Sequence, residues 1–146
     1  MSTTEKPTST NYQELTIIAK METLTNQVYP RLRRWPRHER YALSQEVRNG
    51  LTDFMSVMHM ANKVVSKRTQ YAQEADGILS GLKVKFRLAY SQKYISEGFH
   101  DIISIELSEI GKLLVNYIKT SSRVRNKKYS KEEYSEENKN DNNESD

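Results

Sequence analysis

The sequence predicts an all-α fold: an up-down-up-down antiparallel four-helix bundle with a disordered N-terminus and an acidic C-terminal tail. Three observations predict it. Apolar residues recur every three or four positions along four long stretches, the signature of amphipathic helices. Only five Gly and three Pro interrupt 146 residues, which leaves long helices unbroken. The polar breaks between stretches are short, so consecutive helices become antiparallel neighbours. One long helical hairpin that dimerises shares the same periodicity.

Residues 1–10 are rich in Thr and Ser and hold no apolar core. They read as disordered, and not as a signal peptide. Thr10 and Gln13 have capping-box spacing, which makes Thr10 the expected N-cap of the first helix. Ile17, Met21, Leu24, Val28 and Leu32 form its stripe. The helix is expected over residues 11–34, with Pro30 kinking or ending its last turns.

Residues 29–48 form the corner around which the chain divides. They hold two of the three prolines, the sole tryptophan, six arginines and two acids. Pro36 disfavours αR at Trp35 and suits the first position of a new helix, so helix 2 is expected to start there. Its stripe is Leu43, Val47, Leu51, Phe54, Met58, Ala61 and Val65, and residues 66–69 are the expected break. Helix 3 has the cleanest repeat, Ala72, Ala75, Leu79, Leu82, Phe86 and Ala89, alternating three and four as in coiled coils. Residues 91–95 connect, and Ser96 is the expected N-cap of helix 4 with Glu97 beside the positive helix end. Phe99, Ile103, Leu107, Ile110, Leu114 and Tyr117 complete the core, and fraying is expected after Lys119. The bundle thus spans residues 11–120. Residues 121–146 read as a disordered tail, basic then acidic, with little to bury.

The net charge of +4 hides an asymmetry. Residues 1–128 carry 21 Lys/Arg against 12 Asp/Glu, or +9; residues 129–146 carry 2 Lys against 7 acids, or −5. A basic body attracts phosphate or an acidic protein, and a flexible acidic tail competes with them. There is no cysteine, hence no disulfide and no thiolate metal site, which fits a reducing, cytoplasmic setting. No apolar run reaches the ~20 residues needed to span a bilayer.

The chain holds no phosphate-binding glycine loop, no nucleophile elbow and no His-Glu-x-x-His. Glu97-Gly98-Phe99-His100 has the Glu-x-x-His form of di-iron bundles, but those sites need a second such pair and two more glutamates. A surface pair is the better reading, so no metal or other cofactor is expected. His38 and His59 stand without a nucleophile or acid at informative spacing, and no catalytic residue is assigned. Among Met55, Met58 and Met60, spacing puts Met58 in the core.

The arginine cluster has two readings. One is a solvated corner whose side-chain stems cover apolar surface. The other is an electrostatic site, favoured because arginine forks bind phosphate in a bidentate way. The candidate residues are Arg31, Arg33, Arg34, Arg37, Arg40 and Arg48, with Lys83, Lys85 and Arg87 as a second basic run. Nothing resembles a base-reading helix, so binding would be driven by charge or shape. Ile18, Val57, Ile78, Ile102 and Ile105 lie off the main stripes, more apolar surface than one small bundle buries, and a homo-oligomer is expected.

Three runs carry a family resemblance. They are Trp35-Pro36-Arg37-x-x-Arg40-Tyr41-x-Leu43 with Arg48; Leu82 with Phe86-Arg87-Leu88-Ala89; and Glu109-Ile110-Gly111-Lys112-Leu113-Leu114 followed by Tyr117-Ile118-Lys119. With them the chain resembles the accessory variability determinant (Avd) proteins of diversity-generating retroelements. These share a four-helix-bundle superfamily with proteins encoded in rRNA intervening sequences. Family members tend to carry tryptophan where this chain has Tyr117. The resemblance implies a basic homopentamer that binds the element's reverse transcriptase and nucleic acid, template RNA first and DNA as a further ligand. It would support mutagenic cDNA synthesis without catalysis of its own. The alternative is a bundle of the intervening-sequence type with another nucleic-acid or protein-binding role.

Overall fold

A computed structural model describes the backbone of residues 9–141 and the side-chain surroundings of residues 12–123. It contains helices α1 (Ser9–Leu32), α2 (Leu43–Lys63), α3 (Arg68–Ser91) and α4 (Glu97–Asp141), with 3-10 turns at Arg37–Glu39 and Val65–Lys67. Among the described residues there is no strand. Helix α1 packs against α2 and α4, and α3 packs against the same two, while the diagonal pairs stay apart. This is the four-helix bundle that the stripes predict.

Contacts between α1 and α4 fix their direction. Glu14 meets Tyr117, Lys20 meets Glu109, and Arg31 meets Phe99, so as one number rises the other falls. The two helices are antiparallel and in register along this whole span. The stripes themselves are the core: from Ile17 to Leu32, Leu43 to Ala61, Ala72 to Ala89 and Phe99 to Tyr117, every stripe residue is buried except Val65. Val65 is 66% exposed because it falls in the 3-10 turn, where the α-helical period no longer aims it inward. Ile18 is buried within the chain, Val57 and Ile78 are half-buried, and Ile102 and Ile105 remain exposed.

Two glycines of the bundle differ in what they do. A Cβ on Gly50 of α2 would stand 2.7 Å from Leu82 Cδ2, so any side chain there forces Leu82 to shift. Gly98, in the first turn of α4, meets nothing within 4 Å.

At one end of the bundle lies a buried polar cluster. Tyr117 of α4 donates its hydroxyl to Glu14 Oε1 of α1. Arg68 Nε sits 3.0 Å from the same oxygen. Arg68 also donates to the carbonyls of Ala61 (3.0 Å) and Asn62 (3.2 Å), covering the open C-terminal end of α2. Burial pushes the Glu14 carboxyl above its ordinary value, against the opposing pull of Tyr117 and Arg68.

Four boundaries differ from the sequence expectation. Helix α1 begins at Ser9, so Thr10 lies inside the helix and is not its cap; residues 1–8 lie outside the described residues. Helix α1 ends at Leu32, two residues after Pro30 and short of the expected residue 34. Helix 2 does not start at Pro36. That residue is extended (φ −52°, ψ 142°) ahead of one 3-10 turn, and α2 opens at Leu43, whose N–H donates to Glu39 Oε2 at 3.1 Å. Glu39, which precedes the helix, reaches forward to take up this otherwise open N–H at the helix start. Helix α4 runs to Asp141 rather than fraying after Lys119, since neither Gly nor Pro follows Gly111. Residues 142–146 lie outside the described residues.

The remaining breaks match. Ser96 caps α4, its Oγ accepting from Phe99 N–H at 3.2 Å. Helix α3 ends in a left-handed residue, Lys93 (φ 64°), with Lys93 N–H on Tyr90 O and Tyr94 N–H on Ala89 O, both 2.9 Å. That pair of bonds is a Schellman cap built without glycine.

Candidate anion-binding cleft

The corner between α1 and α2 folds because Trp35 must be buried and Pro36 cannot follow it helically. Trp35 is 6% exposed and packs its ring on Tyr94, with centroids 5.6 Å apart. Tyr94 belongs to the α3–α4 connector, so the two connectors close the same end of the bundle. Arg31 stands over the Phe99 ring at 3.6 Å and donates to Gln27 O at 3.0 Å. It braces α1 against α4 by a cation–π contact.

Below this corner is a cleft of about 400 Å³. Arg33, Arg37, Arg40 and Arg48 line it together with Trp35 and Ser44. The 3-10 turn accounts for part of this convergence, since residues three apart eclipse in that helix and Arg37 and Arg40 rise on one side. Arg48 comes from the second turn of α2. Among the described residues none of the four arginines pairs with a carboxylate. Glu39, the acid nearest in sequence, is otherwise engaged: Oε2 takes Leu43 N–H, and Oε1 lies 3.5 Å from the Tyr94 hydroxyl and 3.4 Å from His38 Nε2. Burial first, and then the Glu39 charge, raise the Tyr94 phenol above its ordinary value and keep it a donor. Ser44 Oγ and Trp35 Nε1 are both buried without a hydrogen-bond partner.

The basic residues singled out from sequence thus separate into groups. Arg33, Arg37, Arg40 and Arg48 share the cleft. Arg31 is spent on Phe99, and Arg34 is exposed outside the cleft. Lys83 and Arg87 line a smaller groove of about 140 Å³ between α3 and α4, with His100 and Ser104. Lys85 is half-buried on α3 and lines neither. His100 stacks on Tyr90 at 4.5 Å, and Glu97 beside it is exposed. Among the described residues no group of three or more His, Asp or Glu side chains is placed to hold a metal. No helix among them is long and apolar enough to cross a membrane.

Residues 15–121 match the model of the bAvd-like family. The chain belongs to the bAvd-like family. The match takes in α1 from residue 15, all of α2 and α3 and the whole cleft, and stops at Ser121, before the last part of α4. No curated protein matches the chain. Within the matched stretch, Tyr117 uses its hydroxyl to hold Glu14.

Sequence reasoning about this bAvd-like chain missed Ser44 and Glu39. Ser44 follows Leu43 on the stripe's edge, and its only signal is a small polar residue next to a core position. Glu39 reads as one acid among arginines, and its capping contact with Leu43 exists only once the 3-10 turn has formed.

Proposed function

We propose that this chain is the accessory protein of a diversity-generating retroelement. In this reading it is a basic homo-oligomer, a pentamer by family resemblance, that binds the element's reverse transcriptase and its template RNA and supports mutagenic cDNA synthesis without catalysis of its own. Family membership supports the accessory role. The observation that carries nucleic-acid binding is the cleft of four arginines without an acid partner. Guanidinium forks suit phosphate oxygens, and counterion release makes such contacts strongly favourable at low salt. Lys83 and Arg87 add positive charge on the α3–α4 face.

The test is RNA binding by the full chain across a salt series, with co-purification of the neighbouring reverse transcriptase. Arg37→Gln/Arg40→Gln should make the slope of log K against log salt shallower by about 0.7 per lost single-strand contact. Arg34→Gln, outside the cleft, should change it less. Wild-type slope and polymerase recovery in the folded double variant would return the cluster to a solvated corner.

A further inference from the structure

We propose that the corner cleft is a built pocket for a terminal phosphate group carrying more than one charge, as on the 5′ end of an RNA or on a free nucleotide. This rests on the nucleic-acid reading above and narrows it. A basic surface suffices for that reading, whereas a pocket must show donors that no other group satisfies.

Two residues that line the cleft, Trp35 and Ser44, carry such donors. Ser44 is 1% exposed and Trp35 6% exposed, yet Ser44 Oγ and Trp35 Nε1 have no partner. Buried donors left unpaired destabilise the free protein, so each needs an explanation. Indole N–H can only donate and a hydroxyl readily does, so this pair fits an oxyanion and opposes a cation. Four guanidiniums line the same space, and like charges gathered there repel one another until an anion arrives. Glu39, the acid nearest to them in sequence, is instead held by Leu43 N–H, Tyr94 and His38. The start of the 21-residue α2 at Leu43 adds a positive dipole end beside Ser44.

Size and charge favour a phosphate at a chain end. A cleft of about 400 Å³ is the size of a small-molecule site, larger than one phosphate group needs. An internal phosphodiester brings one charge and continues on both sides. A terminal di- or triphosphate brings several charges and ends in oxygens that can reach the cleft floor. The source of that group, RNA end or nucleotide, is for experiment to separate.

The experiment titrates the full chain at fixed salt with inorganic tripolyphosphate, with ATP, and with one RNA oligomer bearing either a 5′-triphosphate or a 5′-hydroxyl. Tripolyphosphate should saturate at one per chain and raise the melting temperature. The triphosphorylated RNA should bind about tenfold or more tighter than its hydroxyl twin, the worth of one or two charge-assisted hydrogen bonds. Tighter binding of the RNA than of ATP assigns the RNA end; the reverse assigns the nucleotide. Ser44→Ala should abolish the 5′ preference while leaving the ligand-free melting temperature unchanged or higher, because it deletes an unpaired hydroxyl. Arg37→Lys, which keeps the charge and removes the fork, should keep the salt slope and lose the preference. Equal binding of both RNAs, or tripolyphosphate binding untouched by Ser44→Ala and Arg37→Lys, overturns the pocket and leaves the basic-surface reading standing. Failure to bind RNA of either kind overturns that reading, and the tripolyphosphate arm still decides the pocket.

Discussion

Tyr117 of α4 donates its hydroxyl to the carboxylate of Glu14 on α1, and both side chains are fully buried. A helix pair separated by about a hundred residues is thereby locked in register by one polar contact. Arg68, at the start of α3, joins them and covers the end of α2 at the same time. All four helices meet in this cluster.

The cluster makes stability depend on pH in an uncommon direction. Burial raises the Glu14 carboxyl above its ordinary 4.5, so the native chain holds this proton more tightly than the unfolded chain. Linkage then makes the contribution of Glu14 to stability fall as pH rises from 4.5 through the raised value. The stability of the wild type minus that of Glu14→Gln, measured by denaturant melts from acid to neutral pH, should decline across that window. A rising or flat difference would contradict the assignment.

Tyr117→Phe keeps the ring and removes the donor. It leaves Glu14 Oε1 with Arg68 alone, and should cost ~1–3 kcal/mol as an under-satisfied buried carboxylate. The loss should shrink at acid pH, where Glu14 is protonated. A pH-independent loss would mean that packing of the ring, and not the hydrogen bond, sets the effect.

The Gly50–Leu82 contact predicts non-additive mutations. Leu82→Ala should cost ~2–5 kcal/mol through lost burial and cavity formation. Gly50→Ala should cost ~1–3 kcal/mol by overpacking, less up to ~1 kcal/mol from better helix propensity. The cavity left by Leu82→Ala makes room for the methyl that Gly50→Ala adds, so the double variant should lose less than the sum. Urea midpoints at constant m value read this directly.

Lys93 holds a left-handed backbone with a Cβ that resists it. Lys93→Gly should stabilise the chain by about 0.5–1 kcal/mol, since glycine adopts that conformation without strain. Unchanged or lowered stability would show that the Lys93 side chain makes a compensating contact.

Val84 and Leu88 on α3, and Ile102 and Ile105 on α4, remain exposed. We expect apolar surface left open on a bundle this small to be covered by further copies of the chain. Light scattering at micromolar concentration should give a multiple of the 17.1 kDa chain, five by family resemblance. A mass of one chain would exclude the assembly.

The sequence by itself determined the bundle and its core. Leu43, Val47, Leu51, Phe54 and Met58, or Ala72 through Ala89, are buried as their spacing predicts, because a helix repeats every 3.6 residues whatever surrounds it. The Ser96 cap was legible for the same reason: donor and acceptor lie three residues apart. The end of α3 was legible too, as the break at residues 91–95, although its left-handed cap at Lys93, where glycine is usual, was not. Tertiary structure alone decided the rest. It chose which arginines share a cleft, setting Arg33, Arg37, Arg40 and Arg48 together while Arg31 turned to Phe99. It buried Glu14 beside Tyr117, about a hundred residues away, and left Ser44 Oγ and Trp35 Nε1 unpaired at the cleft. Helical period is a property of neighbours in the chain. A site is a property of neighbours in space, and those are fixed only when the corner at Pro36 sets α1 against α2 and the α3–α4 connector closes over it.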